Sequence, residues 1–149
     1  MKKQGGISIG RKLLVVLAGV LLMSTGAVAN DVDNLISSSG GATFIGALHT
    51  DNADFTDVFT IAIKDSATVN ISLLTIGSGL NNIDFVSADL NGHALTFSPN
   101  GFVETGSLGD LDLKGPLVLT VTGKSGAADG TFASYSGVIN IVLNPKKPR

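Results

Sequence analysis

The sequence predicts an all-β fold, an antiparallel β-sandwich of about seven to nine short strands. β-Branched and aromatic residues recur in short runs between residues 42 and 143, and Gly, Asn, Asp and Ser interrupt these runs at short intervals. No segment after residue 29 has the pattern of a helix. Residues 117–122, Leu-Val-Leu-Thr-Val-Thr, mix apolar and polar positions, as expected of a strand with one core face and one solvated face.

Residues 1–29 have the pattern of a secretory signal peptide. Lys2, Lys3, Arg11 and Lys12 precede an apolar run over residues 13–23, and small residues then lead to Ala27-Val28-Ala29. The apolar run is about half of the ~20 residues that a transmembrane helix requires. We expect cleavage after Ala29, and the alternative is an uncleaved N-terminal anchor. A lipoprotein anchor is excluded because the chain has no cysteine.

The remaining chain divides into a lead-in, one domain and a basic tail. Residues 30–41 are polar and rich in Ser, Asp and Gly, so we expect a flexible lead-in without a strand. The domain spans residues 42–143, and residues 144–149 form the tail. Asn91-Gly92 favours the type I′ turn of a tight hairpin. The predicted strands are residues 43–49, 55–63, 68–76, 83–90, 94–97, 117–122 and 135–143.

The charge balance changes when the signal peptide is removed. Residues 30–149 retain six basic and all twelve acidic residues, which gives a net charge of −6. A negative field disfavours binding to nucleic acid and to anionic membrane surfaces. The absence of cysteine does not argue against export, because a domain of this size can be stable without disulfides.

The segment Phe55-Thr56-Asp57-Val58-Phe59 places a carboxylate between two aromatic rings with the period of a strand. Because side chains alternate between faces, Phe55, Asp57 and Phe59 share one side with Ile61 and Ile63, and burial of that side also buries the charge. In a structural interpretation, Asp57 accepts hydrogen bonds from backbone N–H groups of a neighbouring loop. In the alternative, it binds a ligand.

The sequence provides little support for catalysis. A serine-hydrolase G-x-S-x-G motif is absent. His49 and His93 each lie near a turn, where a histidine is typically a polar surface residue. We therefore predict no catalytic residues and no enzymatic activity.

A calcium site is a weaker alternative role for the acidic residues. Asp51, Asp54 and Asp57 lie with His49 within nine residues, and Asp89 lies beside the Asn91-Gly92 turn. Oxygen-rich loops bind calcium, but the spacing does not match an EF-hand loop. Acidic residues beside hairpin turns also cap backbone groups, which is the competing interpretation. We predict no other cofactor.

The Phe55–Phe59 segment resembles the signature of the F-x-D-x-F family of PEP-CTERM proteins. The resemblance extends to residues 117–126, Leu-Val-Leu-Thr-Val-Thr-Gly-Lys-Ser-Gly, and to Ser134-Tyr135-Ser136-Gly137, so it covers nearly all of residues 42–143. It implies a prepeptidase C-terminal type of β-sandwich that Gram-negative, exopolysaccharide-producing bacteria export. It also implies structural roles for Tyr135 and Gly137 in the last strand, and it brings no catalytic residues.

The C-terminal residues differ from that family. Its members end in a Val-Pro-Glu-Pro motif, a transmembrane helix and an Arg-rich tail, whereas residues 144–149 are Asn-Pro-Lys-Lys-Pro-Arg. We therefore expect no stable membrane anchor in the mature chain, and release to the periplasm or the medium.

The signal peptide predicts an exported protein, and the resemblance to the F-x-D-x-F family implies a non-enzymatic structural or binding protein of the bacterial envelope or exopolysaccharide matrix. Its expected partner is an extracellular polysaccharide or an envelope protein. Carbohydrate sites use exposed Trp or Tyr platforms, and the chain has no Trp and only Tyr135, which we expect to be buried. A protein partner at an edge strand is the alternative. An accessory domain of a secreted hydrolase or protease system, or a weak enzyme, is the competing functional class.

Overall fold

The structure, a computed structural model, describes residues 31–128 and 130–146. The predicted signal peptide and the last three residues of the basic tail therefore lie outside the described residues. Ten strands and one short 3₁₀ helix (Gly79–Asn81) follow in the chain: β1 (Asp33–Ser37), β2 (Gly41–His49), β3 (Asp54–Ala62), β4 (Ser66–Ile76), β5 (Ile83–Leu90), β6 (His93–Ala94), β7 (Thr96–Phe97), β8 (Val103–Lys114), β9 (Leu117–Ser125) and β10 (Ala133–Leu143).

The strands form two five-stranded sheets that enclose one core. The first sheet has the order β1-β3-β9-β5-β6, and the second has the order β2-β10-β4-β8-β7. All neighbours are antiparallel except β1 and β3, which are parallel. Buried apolar residues of both sheets form a single cluster. The predicted fold class, an antiparallel β-sandwich, is confirmed, with slightly more strands than expected.

The lead-in contains a strand that we did not expect. β1 pairs with β3, with Leu35 beside Thr60, and Val32 just before it is buried. A five-residue segment with only two apolar residues, Leu35 and Ile36, has a weak strand pattern by itself, and its pairing partner lies more than twenty residues away in the chain. The expectation of a strandless lead-in is therefore wrong for residues 33–37.

β8 is a second strand that the sequence pattern did not predict. Its sequence, Val-Glu-Thr-Gly-Ser-Leu-Gly-Asp-Leu-Asp-Leu-Lys, contains two glycines and three acidic residues, all of which have low strand propensity. β8 nevertheless pairs along almost all of β4, with one irregularity between Val69 and Ile71. Tertiary pairing thus overrides local propensity here.

The predicted strand 94–97 is two short strands on different sheets. β6 pairs with β5, whereas β7 pairs with β8, and the buried Leu95 lies between them. Before this crossing, Asn91 and Gly92 both have positive φ, 49° and 85°, as a two-residue type I′ turn requires. The predicted hairpin turn is therefore confirmed.

Candidate functional site

Asp57 is the centre of a polar network buried between the two sheets. It lies in the middle of β3 and is completely buried, on the same face as Phe55 and Phe59. Its Oδ2 accepts a hydrogen bond of 2.6 Å from the Tyr135 hydroxyl and lies 2.9 Å from Nε2 of His49. Because His49 belongs to β2 and Tyr135 to β10, the carboxylate of the first sheet joins two strands of the second.

The other carboxylate oxygen fixes the segment before β1. Asp57 Oδ1 accepts a 2.8 Å hydrogen bond from the Val32 N–H, and the Val58 N–H donates to the Val32 carbonyl at 2.7 Å. The Thr56 N–H donates in turn to Oδ1 of Asp31 at 2.7 Å. Asp57 therefore accepts a hydrogen bond from a backbone N–H of a neighbouring segment, as the structural interpretation predicts. It also has two side-chain partners, His49 and Tyr135, that the sequence did not predict.

His49 is not the polar surface residue that we expected. It is completely buried, and its ring stacks on Phe55 with 4.0 Å between ring centroids and an interplanar angle of 19°. β2 alternates so that Ile45, Ala47 and His49 point into the core, and His49 is already the last residue of the predicted strand 43–49, so its burial follows from the period of that strand. His93 is exposed in β6.

The hydrogen bond to Asp57 assigns the tautomer of His49. An ionised carboxylate can only accept, so Nε2 is assigned as the donor in the 2.9 Å contact with Asp57 Oδ2. Nδ1 is buried and has no hydrogen-bond partner among the described residues. An unpaired buried acceptor is unfavourable by about 1–3 kcal/mol, which offsets part of the gain from the Asp57 contact.

Tyr135 is buried, as predicted, and contacts the aromatic core around the network. Its ring centroid lies 5.9 Å from that of Phe55 and 5.4 Å from that of Phe85. Burial, the charge of Asp57 and the hydrogen bond to Asp57 all raise the pKa of the Tyr135 hydroxyl far above its ordinary value. Gly137 follows on the same face, where a Cβ would lie 2.5 Å from Cδ2 of Leu73.

The raised pKa of Tyr135 predicts a spectroscopic and a stability effect at alkaline pH. Tyr135 is the only tyrosine, so the phenolate absorbance of the protein reports this residue alone. We expect no phenolate signal from the folded protein at pH 10–11, and its appearance upon unfolding in denaturant.

The raised pKa of Tyr135 also makes the folded protein less stable as the pH rises above 10. The folded pKa lies above the unfolded value of 10.0, so the contribution is complete below pH 10 and is lost as the pH rises above it. The unfolding free energy should fall by up to about 1.4 kcal/mol per pH unit there. Tyr135→Phe should remove this part of the slope. A phenolate titration of the folded wild type near pH 10 would contradict the prediction.

The His49–Asp57–Tyr135 arrangement contains groups that act as acids and bases in enzymes. All three side chains are nearly or completely buried, and each binds another member of the network. His49 and Asp57 are both completely buried, and Tyr135 is 4% exposed. The arrangement acts as a cross-link between the sheets and the N-terminal segment.

The acidic residues considered as calcium ligands have different surroundings in the structure. Asp51 and Asp54 are exposed, and both oxygens of Asp57 are engaged in the buried network. Asp89 Oδ1 accepts a 2.9 Å hydrogen bond from the Gly92 N–H, which caps the hairpin turn. Within residues 31–128 and 130–146, no group of three or more His, Cys, Asp or Glu side chains is placed to hold a metal ion.

Glu104 is a buried carboxylate that the sequence pattern did not predict. It lies in β8 and points into the core, where Oε2 accepts the Phe85 N–H at 3.0 Å and Oε1 accepts the Gly101 N–H at 3.4 Å. The first contact crosses between sheets at the irregularity of β5 next to Phe85. Because β8 was not predicted, no sequence signal indicated that Glu104 faces the core.

The outer face of the second sheet carries an open depression with a volume of about 500 Å³. Its apolar side chains are Phe44, Leu74 and Val138, of which Phe44 is 76% exposed. Small residues complete it, namely Ser72, Thr105, Gly106, Ser107, Ser136 and Gly137. The depression therefore presents an apolar surface with hydroxyl groups around it.

The part of the chain that the structure describes contains no helix of the length and hydrophobicity needed to cross a membrane.

No protein-family model matches the sequence, and no curated protein is significantly similar to it. Among solved structures, the chain is similar to the pre-peptidase C-terminal domain of a collagenase from Bacillus anthracis, with 15% sequence identity and a TM-score of 0.42. The alignment covers 77% of this chain and 99% of that domain.

Proposed function

We propose that the protein is an exported, non-enzymatic binding or structural protein of the bacterial envelope or exopolysaccharide matrix. The observation that carries the proposal is the solvent-open apolar depression on the outer face of the second sheet, whereas the polar network around Asp57 is buried between the two sheets. A rigid sandwich with such a surface is suited to holding a partner.

The buried network supports the non-enzymatic part of the proposal. General acid–base catalysis requires a group within hydrogen-bond reach of the substrate. His49 and Asp57 are completely buried in the core, and Asp57 accepts three hydrogen bonds that connect separate segments.

The sequence supports the exported part of the proposal. Residues 1–29 have the order of charged, apolar and small residues of a signal peptide, and the remaining chain has a net charge of −6. The F-x-D-x-F signature and the closing Tyr135-Ser136-Gly137 element, distant in the chain, meet in one place because Tyr135 donates to Asp57. This meeting supports membership of the F-x-D-x-F family as part of the proposal.

The depression supports a binding role. Leu74 is 39% exposed at its centre, and the neighbouring Thr105 and Ser136 on the adjacent strands are exposed. Contiguous exposed apolar surfaces on protein domains commonly mark interaction sites. The partner of this proposal is a matrix polysaccharide or a protein of the envelope.

Cell fractionation tests the proposal. The full-length gene is expressed in an exopolysaccharide-producing Gram-negative host, and the protein is quantified in cytoplasm, periplasm, membrane, matrix and medium, with and without polymer synthesis. We expect the protein outside the cytoplasm, shortened at its N-terminus, and enriched in the matrix only when the polymer is made. Retention in the cytoplasm would overturn export, and indifference to the polymer would overturn polysaccharide binding.

A pair of variants connects the result to the depression. Leu74→Glu places a charge in it, and matrix enrichment should fall at least about fivefold, since loss of a central contact weakens binding by more than about 1 kcal/mol. Val86→Glu is the matched control, because Val86 is 72% exposed on β5 of the other sheet. Equal enrichment of both variants would contradict a role for the depression.

A further inference from the structure

We propose that the free edge of β2 pairs with β2 of a second copy of this chain, which gives a two-fold symmetric dimer with a continuous ten-stranded sheet. β2 is the first strand of the second sheet and pairs with β10 on one side only. Among the described residues, no other segment forms a backbone hydrogen bond with residues 41–49. Its second edge therefore presents N–H and C=O groups that another strand can pair with.

The sandwich has four sheet edges, and β2 differs from the other three. β6 and β7 have two residues each, and β1 has five residues including the charged Asp33. The part of β8 that continues beyond β7 carries Asp110, Asp112 and Lys114. Short length and charge are the features by which proteins prevent edge-to-edge pairing.

β2 has none of these protective features. It is nine residues long, Gly-Ala-Thr-Phe-Ile-Gly-Ala-Leu-His, without Pro, Lys, Arg, Asp or Glu. It has no irregularity in its pairing with β10, and its only titratable side chain, His49, is buried in the core. A neutral edge pairs with its own copy without charge repulsion, which is the argument for a second copy as the occupant.

The strand is also complementary to itself in an antiparallel register. If the two-fold axis passes beside Ile45, all nine residues pair, and each side chain keeps its face. Phe44 then lies opposite Gly46 of the second copy on the outer face, where the exposed ring covers a residue without a side chain. Leu48 lies opposite Ala42 of the second copy, so the outer face of the junction is apolar.

The symmetry of this contact closes the assembly at two copies. An isologous contact uses the same surface on both partners, and growth requires a second pairing edge. The opposite edge of the second sheet is β7 and the charged part of β8, which does not provide one. A dimer, and not a filament, is therefore the expected product.

Sedimentation equilibrium of the protein recovered from cells that express the full-length gene tests the proposal. We expect a concentration-dependent shift from one to two copies. Phe44→Lys, at a position 76% exposed in one copy, should weaken the dimer at least about tenfold by placing charge at the junction. Val142→Lys is the control, since Val142 is 64% exposed on β10 of the same sheet and away from the edge.

Three results of this experiment would overturn the proposal. A single copy at all concentrations means that the edge is covered by the chain itself or has no partner. A dimer that withstands Phe44→Lys does not use β2. A dimer that Val142→Lys weakens equally is held by the sheet face and not by its edge.

A cross-linking experiment tests the register separately, because the chain has no cysteine of its own. The proposed register places residue 42 beside residue 48 of the second copy, whereas two residues 42 lie roughly 20 Å apart along the strands. Mixed Ala42→Cys and Leu48→Cys chains should therefore cross-link upon oxidation, and Ala42→Cys alone should not. Cross-linking of Ala42→Cys with itself, or none in the mixture, would overturn this register.

Discussion

Replacement of Asp57 by alanine is expected to lower the free energy of unfolding by about 3–5 kcal/mol, because three buried donors lose their acceptor and each unsatisfied donor costs about 1–3 kcal/mol. The carboxylate accepts from the Val32 N–H, the Tyr135 hydroxyl and His49 Nε2. All three donors would remain in the core without a partner. Urea unfolding, followed by circular dichroism, measures the difference.

Two further variants make this prediction specific. Asp54→Ala, on the exposed face of β3, should change stability by less than about 0.5 kcal/mol. Asp57→Asn retains one acceptor oxygen, but its NH₂ group replaces the second oxygen and faces a donor. Its loss of stability should therefore lie between that of Asp54→Ala and that of Asp57→Ala. If Asp57→Ala costs less than about 1 kcal/mol, the network does not stabilise the fold as described. If Asp57→Ala does not fold, the stability of Asp57→Asn is compared with that of Asp54→Ala instead.

Gly123→Ala should be the second large effect, with a loss of about 1–3 kcal/mol from overpacking. Gly123 lies in β9 between Phe55 of β3 and Phe85 of β5. A Cβ there would lie 2.6 Å from Cζ of Phe55 and 2.7 Å from the backbone oxygen of Asp84. The Phe55 ring cannot move freely, because it stacks on His49.

Gly109→Ala in β8 is the matched control for that substitution. A Cβ at Gly109 meets no atom within 4 Å, and Gly109 has no positive φ. The change should therefore be neutral or stabilise the protein by up to about 1 kcal/mol, since alanine reduces the entropy of the unfolded chain. Equal losses for both glycines, measured by the same urea unfolding, would show that close packing at Phe55 is not the cause.

Local patterns predicted a large part of the fold. Alternation along residues 55–63 identified the face shared by Phe55, Asp57 and Phe59, and the structure buries that face. Asn91-Gly92 predicted a hairpin turn that both φ angles confirm. These features depend on neighbours in the chain, so the sequence contains them directly.

The strands and contacts that the sequence did not predict have a common physical cause. β1 and β8 have weak strand patterns and are ordered by β3 and β4, which lie far away in the chain. The partners of Asp57 at His49 and Tyr135 come from two strands of the opposite sheet, and Glu104 is buried only because β8 is in place. No local pattern specifies such non-local contacts.

The sequence by itself determined the fold class, the turn at Asn91-Gly92 and the burial of a carboxylate at Asp57, because each follows from the period or from the backbone preference of adjacent residues. The tertiary structure decided which donors satisfy that carboxylate and which sheet edge has no partner. Both depend on the packing of one sheet on the other and on the order of strands, and strand order is set by the free energy of the whole core.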